Sequence, residues 1–157
     1  MDIERLNRVL RRVRNEDVLT TDCEANGRVQ LQRFIRNEEK ACWEYEQLRR
    51  RCSGRTQVVL TKIWTEEQRH LRDLQAEFMV RYGNTLSTQT EAKPQNQRGL
   101  LSWVGKIREE EFGAAEEYHR ASRATGDHRL QLLYQKHAQE EENHARFLTD
   151  LLRRGMG

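Results

Sequence analysis

Proline is nearly absent, with one residue in 157. Because proline removes a backbone donor and interrupts helices, its scarcity leaves room for long unbroken ones. Cysteine is scarce as well. Cys23, Cys42 and Cys52 are odd in number and form no C-x-x-C pair, which argues against a thiolate zinc site or a complete disulfide framework and for a reducing, cytoplasmic setting. The chain has no apolar run of the ~18 residues that cross a bilayer, and its N-terminal segment is charged and amphipathic, without the apolar centre of a signal peptide. A soluble protein with no membrane insertion is expected. An excess of one charge is also missing: 28 basic and 25 acidic residues are mostly interleaved, for a net charge of +3, so nucleic acid is not an expected partner.

What is present is 36% hydrophobic and 34% charged residues, a balance that suits helices with a thin apolar stripe and a wide solvated face. The length fits one ordinary domain. Residues 2–16 carry Ile3, Leu6, Leu10 and Val13 at helical spacing among Arg5, Arg8, Arg11, Arg12 and Arg14. They predict a short amphipathic helix, residues 1–20 forming an N-terminal element that packs on the rest or on another subunit, or else offers a basic surface to an anionic lipid or partner, with 21–157 as the main domain. Thr20, Thr21 and Asp22 are capping candidates for a second helix over about 22–51, weakened early by Gly27. Gly54 and Thr56 separate it from a third helix over about 57–82, which Gly83 ends. A fourth helix over about 98–124 stops at Gly126, and Asp127 caps a last one running to near Arg154. Residues 83–97 contain almost nothing apolar; extended, they could span about 50 Å, more than the roughly 40 Å of a 26-residue helix. The expected fold class is therefore all-α, a four-helix bundle of two helical hairpins joined by a long crossover, with the extra short N-terminal helix outside it.

One pattern occurs twice. Glu38, Ala41 and Tyr45 are followed by Glu67 and His70, and Glu111, Ala114 and Tyr118 by Glu141 and His144. Each copy reads E-x-x-A-x-x-x-Y and then, after a turn, E-x-x-H. Glu38 and Glu67 are 29 positions apart, Glu111 and Glu141 30. Helix positions three apart share a face, so each E-x-x-H aims a carboxylate and an imidazole at one point. Glu109, Glu110, Glu140 and Glu142 would ordinarily belong to solvated faces; apolar residues at three- and four-residue offsets select Glu111 and Glu141 as inward. In a two-fold arrangement of the hairpins the six groups converge at one level. Four buried carboxylates would repel one another and lose their hydration unless cations neutralise them, and two divalent ions would balance the charge. Oxygen donors with some imidazole nitrogen favour iron or manganese over structural zinc, and a set of six residues leaves coordination positions open for oxygen, peroxide or water.

With these residues the chain resembles the ferritin-like superfamily, in particular the rubrerythrin-type di-iron carboxylate proteins, over about residues 25–153. The resemblance implies two iron ions (manganese possible) held by Glu38, Glu67, His70, Glu111, Glu141 and His144, with Glu67 and Glu141 bridging. It makes Tyr45 and Tyr118 tyrosines of the type that hydrogen-bond a ligand or donate an electron, although both also read as ordinary core tyrosines. Two departures stand out: Ala114 occupies the position of a further family Glu, and the paired C-x-x-C motifs of a rubredoxin-like domain are absent. His137, one turn before Glu141, reads equally as a partner of the site or as a satisfied core histidine. Cys42 reads as a small buried thiol, His119 and His128 as surface residues, and Trp43, Trp64 and Trp103 as packing or subunit-contact residues.

The implied function is a non-haem di-iron oxidoreductase that reacts with peroxide or oxygen, a rubrerythrin-like peroxidase or a ferroxidase. Its chemistry belongs to the open positions at the metals rather than to a separate catalytic side chain. An external electron donor and a homo-oligomer, a dimer in the first instance, are implied with it. The alternatives are an iron-binding or iron-handling module with little turnover, a di-metal oxygenase acting on an organic substrate, and a metal-free interaction bundle.

Overall fold

A computed structural model of the chain describes the backbone of residues 3–86 and 99–155 and the side chains of residues 26–86 and 99–155. The described residues form four α-helices and no strand: α1 Ile3–Arg51, α2 Gly54–Tyr82, α3 Leu100–Ala124 and α4 His128–Arg154. This all-helical content is consistent with a four-helix bundle. No described helix is long and apolar enough to cross a membrane.

The helix ends follow from local chemistry. Gly54, Gly83 and Gly155 take left-handed φ angles of 58°, 69° and 76°, a conformation that costs residues with a Cβ about 1–2 kcal/mol. At the start of α4 the Asp127 side chain accepts a hydrogen bond from Leu130 N at 2.9 Å, the expected N-cap. The last residue of α3 is Ala124, as expected, but the break falls at Thr125 before Gly126 is reached: the Thr125 backbone is extended (φ −79°, ψ 137°) and its Oγ1 accepts from Asp127 N at 3.1 Å.

The largest departure from expectation lies in α1. The separate helix over 2–16 and the break at 17–22 do not appear; one helix runs from Ile3 to Arg51, straight through the expected boundary between residues 20 and 21. Its first 24 residues, 3–26, contain neither proline nor glycine, so Thr20, Thr21 and Asp22 are potential caps without anything that forces a cap to be used. The side chains of the basic first segment lie outside the described residues. So does most of the expected crossover, from residue 87 to residue 98.

The chain divides into two compact units, Met1–Cys42 with Glu67–Gln89 and Trp43–Glu66 with Thr90–Gly157. In the first, Leu31, Phe34, Ile35, Leu74 and Phe78 are buried, and the Arg28 guanidinium lies over the rings of Phe78 (5.8 Å) and Tyr82 (5.2 Å). Arg28 in the middle of α1 thus meets the end of α2, while Glu38, further along α1, lies near His70, earlier in α2, so the two segments run antiparallel. In the second unit Tyr45, Leu48, Leu60, Ile63, Trp103, Val104, Ile107, Leu148 and Leu151 form one buried cluster, each contributing on the order of 1.5–3 kcal/mol of burial for its larger members. At its edge the exposed Arg51 lies over the Trp103 ring at 5.2 Å, while Tyr45 reaches Glu111. As α1 advances its partners on α3 recede, so these two helices also run antiparallel.

Candidate metal centre

The inward stripe of α1 in the first unit continues from Leu31 and Phe34 to Glu38, which is 4% exposed. On α2 the E-x-x-H spacing puts Glu67 and His70 on one face, 1% and 0% exposed. His70 Nδ1 lies 3.7 Å from Glu38 Oε2 and 3.6 Å from Glu67 Oε2, beyond good hydrogen-bond length. One ligand atom from each residue lies within 4.8 Å of the others. Metal–ligand bonds of about 2.0–2.2 Å put ligand atoms about 3–4.4 Å apart, so the triad is close to the span that a single ion would occupy. Beside it Cys42 is half-buried rather than buried. Loss of hydration, reinforced by Glu67 and Glu38, pushes its thiol up to about 12.

The second unit repeats the arrangement with Glu111, Glu141 and His144, all buried. His144 Nδ1 is 3.3 Å from Glu141 Oε2 and 3.7 Å from Glu111 Oε2, and again one ligand atom from each lies within 4.8 Å of the others. Tyr45 Oη donates to Glu111 Oε1 at 2.7 Å, fixing the carboxylate, and the Tyr45 ring stands edge-on to His144 with centroids 6.3 Å apart. The far side of the imidazole is held too: His144 Nε2 is 3.0 Å from Glu66 Oε2. That hydrogen bond is the main reason the Glu66 carboxyl sits below its ordinary value, against the opposing effect of burial.

All six predicted ligands are therefore buried, and each unit brings its own three together. Tyr45 is buried and its hydroxyl donates to the Glu111 carboxylate. Tyr118 is buried with its ring edge-on to His137 at 5.3 Å and against Tyr134 at 5.9 Å, and His137 is fully buried. His128 is exposed as expected, and His119 pairs with Glu142 at 2.9 Å, half-exposed. Trp103 packs on Trp43 at 6.4 Å, in line with a packing role. Sequence reasoning missed Glu66, although a signal was present: in both copies the residue immediately before the E-x-x-H motif is Glu, Glu66 in one and Glu140 in the other. It also missed Glu44, a buried carboxylate that accepts from Trp103 Nε1 at 3.5 Å and Lys106 Nζ at 3.4 Å.

The donor set passes the test for a divalent cation. Each triad offers two carboxylates and one imidazole away from water, and charges of like sign so placed are stable once a cation neutralises them. These buried Glu/His clusters could hold metal ions. No known protein family, curated protein or solved structure matches the chain.

Proposed function

We propose that the protein is a ferritin-like di-iron oxidoreductase that reacts with peroxide or oxygen. The observation that carries this reading is the repeated triad of two buried carboxylates facing the Nδ1 of one buried imidazole, Glu38–Glu67–His70 and Glu111–Glu141–His144. The antiparallel run of α1 against α3 further supports a ferritin-like order of helix directions, since in a simple up-down-up-down bundle those two helices would be parallel. Ferrous ions, when bound, supply electrons to an oxidant and Lewis acidity to its oxygen atoms. The protein's own part is positional. Tyr45 holds Glu111 by its hydroxyl, the burial of the carboxylates keeps bulk water from them, and the Tyr45 hydroxyl is a proton donor already in place beside a proposed ligand.

Metal content decides the matter first. Protein reconstituted anaerobically with ferrous iron should hold about two ions per chain, and Glu67→Ala should lose at least one; wild-type protein that takes up none would sink the proposal. Stopped-flow mixing of the ferrous form with peroxide and, separately, with oxygen then assigns the oxidant. Fast oxidation by peroxide supports a peroxidase and fast oxidation by oxygen a ferroxidase or oxygenase. Iron that binds but is oxidised slowly by both would instead make the chain an iron-handling module.

A further inference from the structure

The iron-binding reading accounts for one nitrogen of each triad's imidazole, and in the second unit the other nitrogen also has an assigned neighbour. His144 presents Nδ1 to Glu141 and Glu111 at 3.3 and 3.7 Å and Nε2 to Glu66 at 3.0 Å. A neutral imidazole carries one N–H and one lone pair, and the group that accepts the N–H determines which nitrogen keeps the lone pair. The Glu66 contact is the shortest of the three and lies on the side away from the two buried carboxylates. Glu66 also has a conventional surface partner, Lys62 one turn earlier, but the ammonium is 3.8 Å away and the lysine is exposed, so that pair holds the carboxylate only weakly.

We propose that Glu66 is a positioning residue for His144. Its carboxylate takes the Nε2–H, fixes the ring's tautomer and rotation, and leaves the Nδ1 lone pair directed at the side of the ring where Glu111 and Glu141 lie. A carboxylate on the remote nitrogen also makes an imidazole a stronger donor toward a metal. The inference rests on the iron-binding reading and adds to it a seventh residue, outside the six ligands. It gives a physical reason for the doubled acid in Glu66-Glu67: Glu67 faces His70, and the residue before it, turned about 100° around the helix, serves a different histidine.

The test uses the full chain and cobalt(II) as a spectroscopic stand-in for ferrous iron. In wild-type protein, anaerobic titration should fill about two sites per chain, and proton NMR should show slowly exchanging, strongly shifted ring N–H signals from the coordinated histidines. In Glu66→Ala the affinity of one site should fall roughly 10–100-fold while the other is retained, and one shifted N–H signal should be lost to solvent exchange. Loss of packing alone would not remove that signal selectively. An alanine variant with both affinities and both signals as in wild type overturns the inference and leaves the iron reading standing; wild-type protein that binds no cobalt overturns both. Should the alanine variant fail to fold, Glu66→Gln serves, because its amide accepts the N–H without the negative charge. A several-fold weakening with a displaced N–H signal is then expected, and identity with wild type overturns the proposal.

Discussion

At the scale of single residues, Glu44 is the clearest case of a charge whose burial has to be explained by its neighbours. It is 3% exposed and is held by the Trp103 indole N–H and the Lys106 ammonium. Removing the lysine leaves a buried carboxylate with one donor fewer, so Lys106→Ala should lower unfolding stability by about 1–3 kcal/mol, read from denaturant midpoints. Burial acts to lower the Lys106 pKa, but Glu44 and Glu110 outweigh it and raise the value above 10.5. A pKa raised in the folded state stabilises at pH below the unfolded value, and that stabilisation disappears as pH rises through the folded one. Stability contributed by this pair should accordingly be level through neutrality and fall only above pH 10.5, and the fall should be smaller in Lys106→Ala. The six ligand candidates were legible in the sequence because each interrupts an apolar stripe at three- and four-residue offsets. Glu44 was not, since its partners lie 59 and 62 positions away and no local period encodes it; for Glu66 the Glu before each motif was a mark, but its partner 78 positions away was not legible.

At the scale of elements, glycine separates positions that need its freedom from positions that do not. Gly113 lies exposed within α3 and a methyl group there would meet nothing within 4 Å, so Gly113→Ala should stabilise the protein by about 0.5–1 kcal/mol through helix propensity alone. Gly54 also has open space around it, but its φ is +58°, and Gly54→Ala should cost about 1–2 kcal/mol. Thermal unfolding of the two variants side by side would show shifts of opposite sign. The ends of α2, α3 and α4 could be read to within a few residues because glycine and Asp127 mark them chemically. The continuity of α1 could not, because Thr20, Thr21 and Asp22 have the side chains of a cap whether or not the helix stops there, and the choice is made by the absence of any residue that breaks it.

At the scale of the whole molecule, metal binding and folding should be one equilibrium. The triads are formed only in the folded chain, so a bound ion stabilises by about 2.7 kcal/mol at a free concentration a hundred times its dissociation constant. For a chain of this size that corresponds to a rise in Tm of roughly 5–10 °C per site. Calorimetry before and after anaerobic chelation should show that drop, and no change on chelation would count against metal in either triad. The all-helical content was legible from composition and period, whereas the division of α1 and α2 between two units was not, because both helices keep their period across the boundary. That division bears on how the protein is made. Tyr45, Leu48, Leu60 and Ile63 share their buried cluster with Trp103, Leu148 and Leu151, so residues 45–63 leave the ribosome before the residues that cover them exist. At about 5–20 residues per second, these apolar side chains wait on the order of several seconds to some twenty seconds for the C-terminal helix, and during that interval the nascent chain is exposed to aggregation and depends on whatever shields it.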